Sequence, residues 1–143
     1  MSLAQALNRP VTARAFWLGV AAYVVPTFPI GYVWHLVIFA PVYRDLAMYR
    51  GDVIIPFGLL SMLIQGVVFS WVYPRVFAGR SAWLRNGVRY GLALAVLSWS
   101  FTTLAVAAKN VMTSVPTYML LETGFTLVQF ALVGPLIALA YRD

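Results

Sequence analysis

Two ionisable side chains stand inside apolar runs that would otherwise carry none. Glu122 interrupts the run that closes the chain, and His35, the sole histidine, lies in the run that opens it. An ionisable group in hydrocarbon costs some kilocalories per mole unless it faces a protein interior or water. Each therefore asks for a partner. Glu122 begins a line with Thr126 and Gln129, at spacings of four and three, which lies on one face of a helix. The second run carries Gly58, Ser61 and Gln65, the third Ser98 and Thr102, and the first Gly31 and His35. A helical rise of about 1.5 Å per residue puts His35, Thr102 and Glu122 roughly 8–9 Å in from one side. The same rule puts Ser61 roughly 12 Å in, and Gln65 and Gln129 roughly 18 Å in with Ser98 near them. If the four faces converge, they enclose a polar pocket that opens toward the outside.

Two chemistries fit such a set. The amides and hydroxyls can be interhelical hydrogen-bond glue, at about 0.6 kcal/mol a pair, with Glu122 reaching headgroup water. Alternatively, Glu122 and His35 face each other and bind or relay a proton, a cation or a polar solute. A lone membrane histidine can also be the axial ligand of a haem iron or a chlorophyll magnesium, and Gly31 one turn earlier would leave room for a macrocycle. With no second histidine, bis-imidazole haem from one chain is excluded. A hydrogen-bonded core histidine is the reading the sequence favours, and no cofactor is implied. Phosphate loops, His-Glu-x-x-His and nucleophile elbows are all missing, so no enzyme activity is expected. The absence of cysteine excludes disulfides, thiolate metal sites and iron–sulfur clusters.

The elements that must position these residues follow from composition. Of 143 residues 62% are apolar and only 10% charged, far from the roughly 25% charged of soluble domains. Four apolar runs, at about 15–40, 53–73, 90–108 and 117–141, meet or nearly meet the roughly 20 residues a membrane helix needs. An all-α membrane protein is expected: a single domain, 1–143, forming a four-transmembrane-helix antiparallel bundle, since the loops are short. Pro26 and Pro29 should kink the first helix, each removing a backbone donor. Arg9, Arg14, Arg75, Arg80, Arg85, Arg89 and Arg142 fall on one side, against Arg44, Arg50 and Lys109 on the other. The positive-inside rule then makes both termini cytoplasmic. Trp17, Tyr43, Tyr49, Trp71, Tyr73, Trp83, Tyr90, Tyr118 and Tyr141 sit near span ends, where an interfacial aromatic belt is expected. Val42, Leu46 and Tyr49 recur at helical spacing, so the link from Pro41 to Asp52 reads as a short interfacial helix. The pair Gly87 and Gly91 matches the small-xxx-small packing pattern.

The net charge of +6 sits between the spans. It therefore implies anionic lipid headgroups, not nucleic acid. The pattern Gly31-Tyr-Val-Trp34-His35, followed by Phe39 and Tyr43 and three further apolar runs, resembles small four-helix bacterial membrane proteins. That resemblance implies no activity. The sequence favours an accessory or structural subunit of a larger membrane complex, in a bacterial inner membrane, with other membrane subunits or further copies of itself as partners. The alternative is a small homo-oligomeric transporter or channel using the pocket around Glu122 and His35.

Overall fold

A computed structural model describes residues 11–77 and 82–142. Regular structure among them is all helical: α1 (Ala13–Val33), α2 (Ala40–Asp45), α3 (Ile55–Val76), α4 (Trp83–Trp99), α5 (Ala105–Lys109) and α6 (Val115–Ala140). Two π-helical turns join some of these into longer rods. Trp34–Ile38 extends α1, and Ser100–Leu104 links α4 to α5. Four helical stretches are long and apolar enough to cross a membrane: Ala13–Ile38, Ile55–Val76, Trp83–Lys109 and Val115–Ala140. Three lie within a few residues of the apolar runs. The third begins at Trp83 instead of Tyr90, because Arg85 and Arg89 are exposed on a helix whose apolar character starts later. Arg9 and Arg80 lie outside the described residues.

Local chemistry explains where the helices start. Thr12 accepts from the Ala15 amide and caps α1, and Ser114 caps α6 by accepting from Thr117. Pro56 and Pro116 occupy first turns, where a missing donor costs nothing. Helix α1 runs through Pro26 and Pro29 without interruption.

α6 is the most buried of the four long stretches, with 39% of its apolar window inside the protein, and α3 the least, with 11%. α6 packs against both α1 and α4, while α3 leans mainly on α1. Backbones come closest where glycines meet. A side chain on Gly91 would strike the Phe130 carbonyl, and one on Gly134 would strike Gly87 and Gly91. The Gly87/Gly91 pair thus seats α4 against α6, as small-xxx-small packing does. Around this contact lies a core of Tyr23, Tyr73, Tyr90, Leu94, Phe130, Val133 and Ile137.

Several tyrosines correct the interfacial-belt expectation. Tyr43, Tyr73, Tyr90 and Tyr118 are buried, turning inward. Position near a span end fixes depth but not the direction a ring points, and a phenol needs only one acceptor to be buried. Tyr90 donates to the Phe69 carbonyl at 2.7 Å, Tyr141 to Ser70 at 2.6 Å, and Tyr118 to Thr102. Trp17 and Trp71 do face outward. The link after α1 is also corrected. Only 40–45 is helical, and Tyr43 and Leu46 are buried against Tyr118 instead of lying on an interface. Thr113 ties this link to the one before α6, donating to the Asp45 carbonyl at 2.8 Å.

Candidate functional site

The face of α1 that turns inward follows a four-residue spacing, Tyr23, Thr27, Gly31, His35. It meets the polar line of α6, in which Glu122, Thr126 and Gln129 are all buried. Helix α3 packs mainly on α1 and barely touches α6, so a cavity of about 610 Å³ is left among them. That is within the range of small-molecule sites.

All eight polar residues singled out from the sequence line this cavity. Glu122, Thr126 and Gln129 are buried in it, His35, Gln65 and Ser98 half-buried, and Ser61 and Thr102 exposed at its edge. Their bonding differs from simple interhelical pairing. Thr102 donates to the Ser98 carbonyl within its own helix. Gln65 and Gln129 do not bond each other. Tyr23 stands between them, accepting from Gln129 Nε2 at 3.2 Å and donating to Gln65 Oε1, and Gln65 Nε2 donates on to Ser61 at 3.0 Å.

His35 and Glu122 meet. Nε2 lies 3.2 Å from Glu122 Oε1, and Nδ1 lies 2.9 Å from the Gly31 carbonyl oxygen. A carbonyl can only accept, so Nδ1 carries a proton. Nε2 and Oε1 then share a single further proton, held on the nitrogen as an imidazolium–carboxylate pair or on the oxygen as a neutral pair. Tyr43 adds its hydroxyl to the same oxygen at 2.6 Å. Burial first, and the neighbouring Glu122 carboxylate second, push the Tyr43 hydroxyl far above the ordinary tyrosine range, so it stays a donor. Aromatic rings close around the pair: Phe125 packs edge-on to His35 at 4.5 Å, and Tyr43 stacks on Tyr49 at 4.8 Å.

Both ring nitrogens of His35 are engaged, so axial ligation of a metal macrocycle would have to break one of these bonds. Among the described residues no group of three or more His, Asp or Glu could hold a metal ion.

The sequence reading missed Tyr23, Tyr43 and the π turns. The four-residue spacing from Tyr23 to His35 was a signal for the first. Tyr43 carried none, since its position reads equally as interfacial. The π turns place His35 and Thr102 at the cavity: Phe39 N–H bonds back to Trp34 and Ala105 N–H to Ser100, each five residues away. Such turns recur at functional sites.

Compared with family models, curated proteins and solved structures, the chain matches none.

Proposed function

We propose that this chain is a small multi-pass membrane protein that binds a small solute in the cavity around Glu122, His35 and Tyr43, as a transporter does. The observation that carries the reading is a buried carboxylate 3.2 Å from an imidazole nitrogen at the wall of a cavity large enough for a ligand. Glue needs no cavity, and a carboxylate kept only for packing would be replaced by a neutral residue without loss. In this reading the four spans form one antiparallel bundle with both termini in the cytoplasm, supported by the seven-to-three imbalance of basic residues. The cavity then faces the outer half of the membrane. Pro26 and Pro29 leave the Ala22 and Val25 carbonyls without their usual donors, which favours a bend carrying Gly31 and His35 toward α6. The short loops fit a bacterial inner membrane.

A second reading, an accessory subunit of a larger complex, is favoured by α3. Only 11% of its apolar window is buried, leaving most of its surface for lipid or for another subunit.

Thermal unfolding of the protein, purified gently from its native membrane, separates the two. Solute binding predicts that a panel of cationic, anionic, zwitterionic and neutral amphiphiles contains a stabiliser, since a ligand at 100 times its Kd adds about 2.7 kcal/mol. Glu122→Gln should keep the fold and lose that stabilisation. An accessory subunit predicts no stabiliser, a partner chain at fixed stoichiometry by mass spectrometry, and a Glu122→Gln variant altered only in assembly.

A further inference from the structure

Hydrogen-bond polarity at the cavity wall names a class of solute. The donors nearest Glu122 are spent: Tyr43 and the shared proton of His35 both converge on Oε1. Deeper in, Tyr23 donates to Gln65, Gln65 to Ser61, and Gln129 to Tyr23. Among the groups without a protein partner are two acceptors, Glu122 Oε2 and Gln129 Oε1, and one hydroxyl, that of Thr27. A carboxylate or phosphate head entering here sets its negative charge beside the Glu122 carboxylate. A head that donates, or that carries positive charge, finds two free oxygens, one of them on a carboxylate.

The rest of the wall is mostly apolar and rich in rings, with Phe28, Tyr32, Tyr49 and Phe125 among the lining residues. Ring faces attract organic cations and tolerate their apolar bodies. Arg50 also lines the cavity, but it is exposed and paired with Asp52 at 3.1 Å. The buried charge an entering head would meet is that of Glu122.

Resting on the solute-binding reading above, we propose that the solute is a hydrophobic organic cation, and that its binding releases the proton shared by His35 and Glu122. The balance is simple. Before binding, imidazole, carboxylate and shared proton together are neutral. The cation pairs with the carboxylate through Oε2, and a second positive charge beside it is opposed. The shared proton leaves to water, Nδ1–H stays on the Gly31 carbonyl, and the site is neutral again. One positive charge enters and one leaves, so the cavity exchanges a cation for a proton. The other titratable groups facing Glu122 are Tyr43 and Tyr49 from the link and Tyr118 from α6. α3, α4 and the π turn that follows α4 present Ser61, Gln65, Ser98 and Thr102, which do not titrate.

The test is calorimetric titration of the full chain in lipid nanodiscs with tetraphenylphosphonium, at neutral pH, in two buffers of different ionisation enthalpy. The expected result is saturable binding with about one proton released per cation, read from the buffer dependence. Glu122→Gln should weaken binding at least tenfold, by the loss of a buried charge pairing worth about 1.4 kcal/mol or more, and release no proton. His35→Gln should still bind the cation through Glu122, and any proton it releases comes from that carboxyl alone. Should Glu122→Gln fail to fold, the proton count of the wild type decides. Neutral tetraphenylmethane binding as tightly as the cation, or cation binding to the wild type without proton release, overturns the inference. If tetraphenylborate binds with Glu122 dependence and the cation does not, the cation class falls while solute binding stands. If no amphiphile of any charge binds, both fall.

Discussion

The two ends of this molecule are held together by different physics. At the end that gathers the start of α1 and the ends of α3 and α6, atoms are packed to the limit. Ser70 is fully buried there, donating to the Phe16 carbonyl at 2.6 Å and bonding Tyr141, against a bare face at Gly19 that a side chain would close. Gly87, Gly91 and Gly134 bring α4 and α6 into backbone contact beside it. At the other end the same helices diverge around a cavity of about 610 Å³, and polar side chains do the holding. Gly58 and Gly51 have open space where a side chain would go. The difference teaches that one end is a clamp that allows the other to stay open. The buried carboxylate and half-buried imidazole stand at the open end, away from the glycine contacts that bring α4 and α6 together.

The strongest way to break that contrast is at the clamp. Gly91→Leu sets a side chain against the Phe130 carbonyl, which is helix backbone and cannot swing aside. A loss of about 3 kcal/mol is expected, the upper end of overpacking costs. Thermal unfolding in detergent, followed by far-ultraviolet circular dichroism, reads it as a large drop in Tm. A small drop would mean that α4 and α6 slide apart easily, and the clamp would be no clamp.

At the open end a single hydroxyl tests how polar groups hold. Tyr43→Phe deletes the donor to Glu122 and keeps the ring, so about 1.5 kcal/mol is expected at neutral pH, as for a hydrogen bond to a charged group. The effect should depend on pH with a definite sign. The folded hydroxyl is held protonated far above the ordinary tyrosine value, whereas in the unfolded chain it ionises near pH 10. The unfolded state then binds fewer protons, so wild-type stability falls as pH rises past about 10. The Phe variant lacks this contribution, and the stability gap should hold below about pH 9 and narrow as pH rises past about 10. A gap of constant size would mean that the hydroxyl is not held as described.

These contrasts also set what the sequence could disclose. Hydropathy finds the four spans because a run of side chains is either apolar or not, and Glu122 and His35 announce themselves by their cost in hydrocarbon. Their meeting at 3.2 Å is not legible from cost alone: the sequence leaves it as one of two alternatives, and the packing of α1 against α6 decides it. Azimuth is not legible that way. Tyr43 and Tyr118 sit at positions where an outward ring and an inward one look alike, and only neighbouring helices decide. Gly134 carries no sign in the sequence of the contact it makes, yet its use is to admit Gly87 and Gly91. The π turns have no residue signature at all. They adjust backbone geometry to packing that the sequence specifies only in three dimensions.

The sharpest small effect lies on the boundary between the two ends, at Tyr23. Its ring belongs to the packed core and stands edge-on to Phe69 at 5.1 Å, while its hydroxyl joins Gln65 to Gln129 in the cavity wall. The two halves of one side chain can therefore be weighed separately. Tyr23→Phe keeps the ring and removes the hydroxyl, and should cost about 0.6–1.2 kcal/mol, one or two membrane hydrogen bonds. Tyr23→Ala removes the ring as well and should cost about 3–5 kcal/mol. The amides freed by Tyr23→Phe border a cavity, so water or solute can re-satisfy them, which keeps the first number low. Reading both variants by Tm against the wild type gives the ratio directly. A Phe variant nearly as damaged as the Ala variant would mean the amide network itself closes the bundle, and the open end would then be a second clamp.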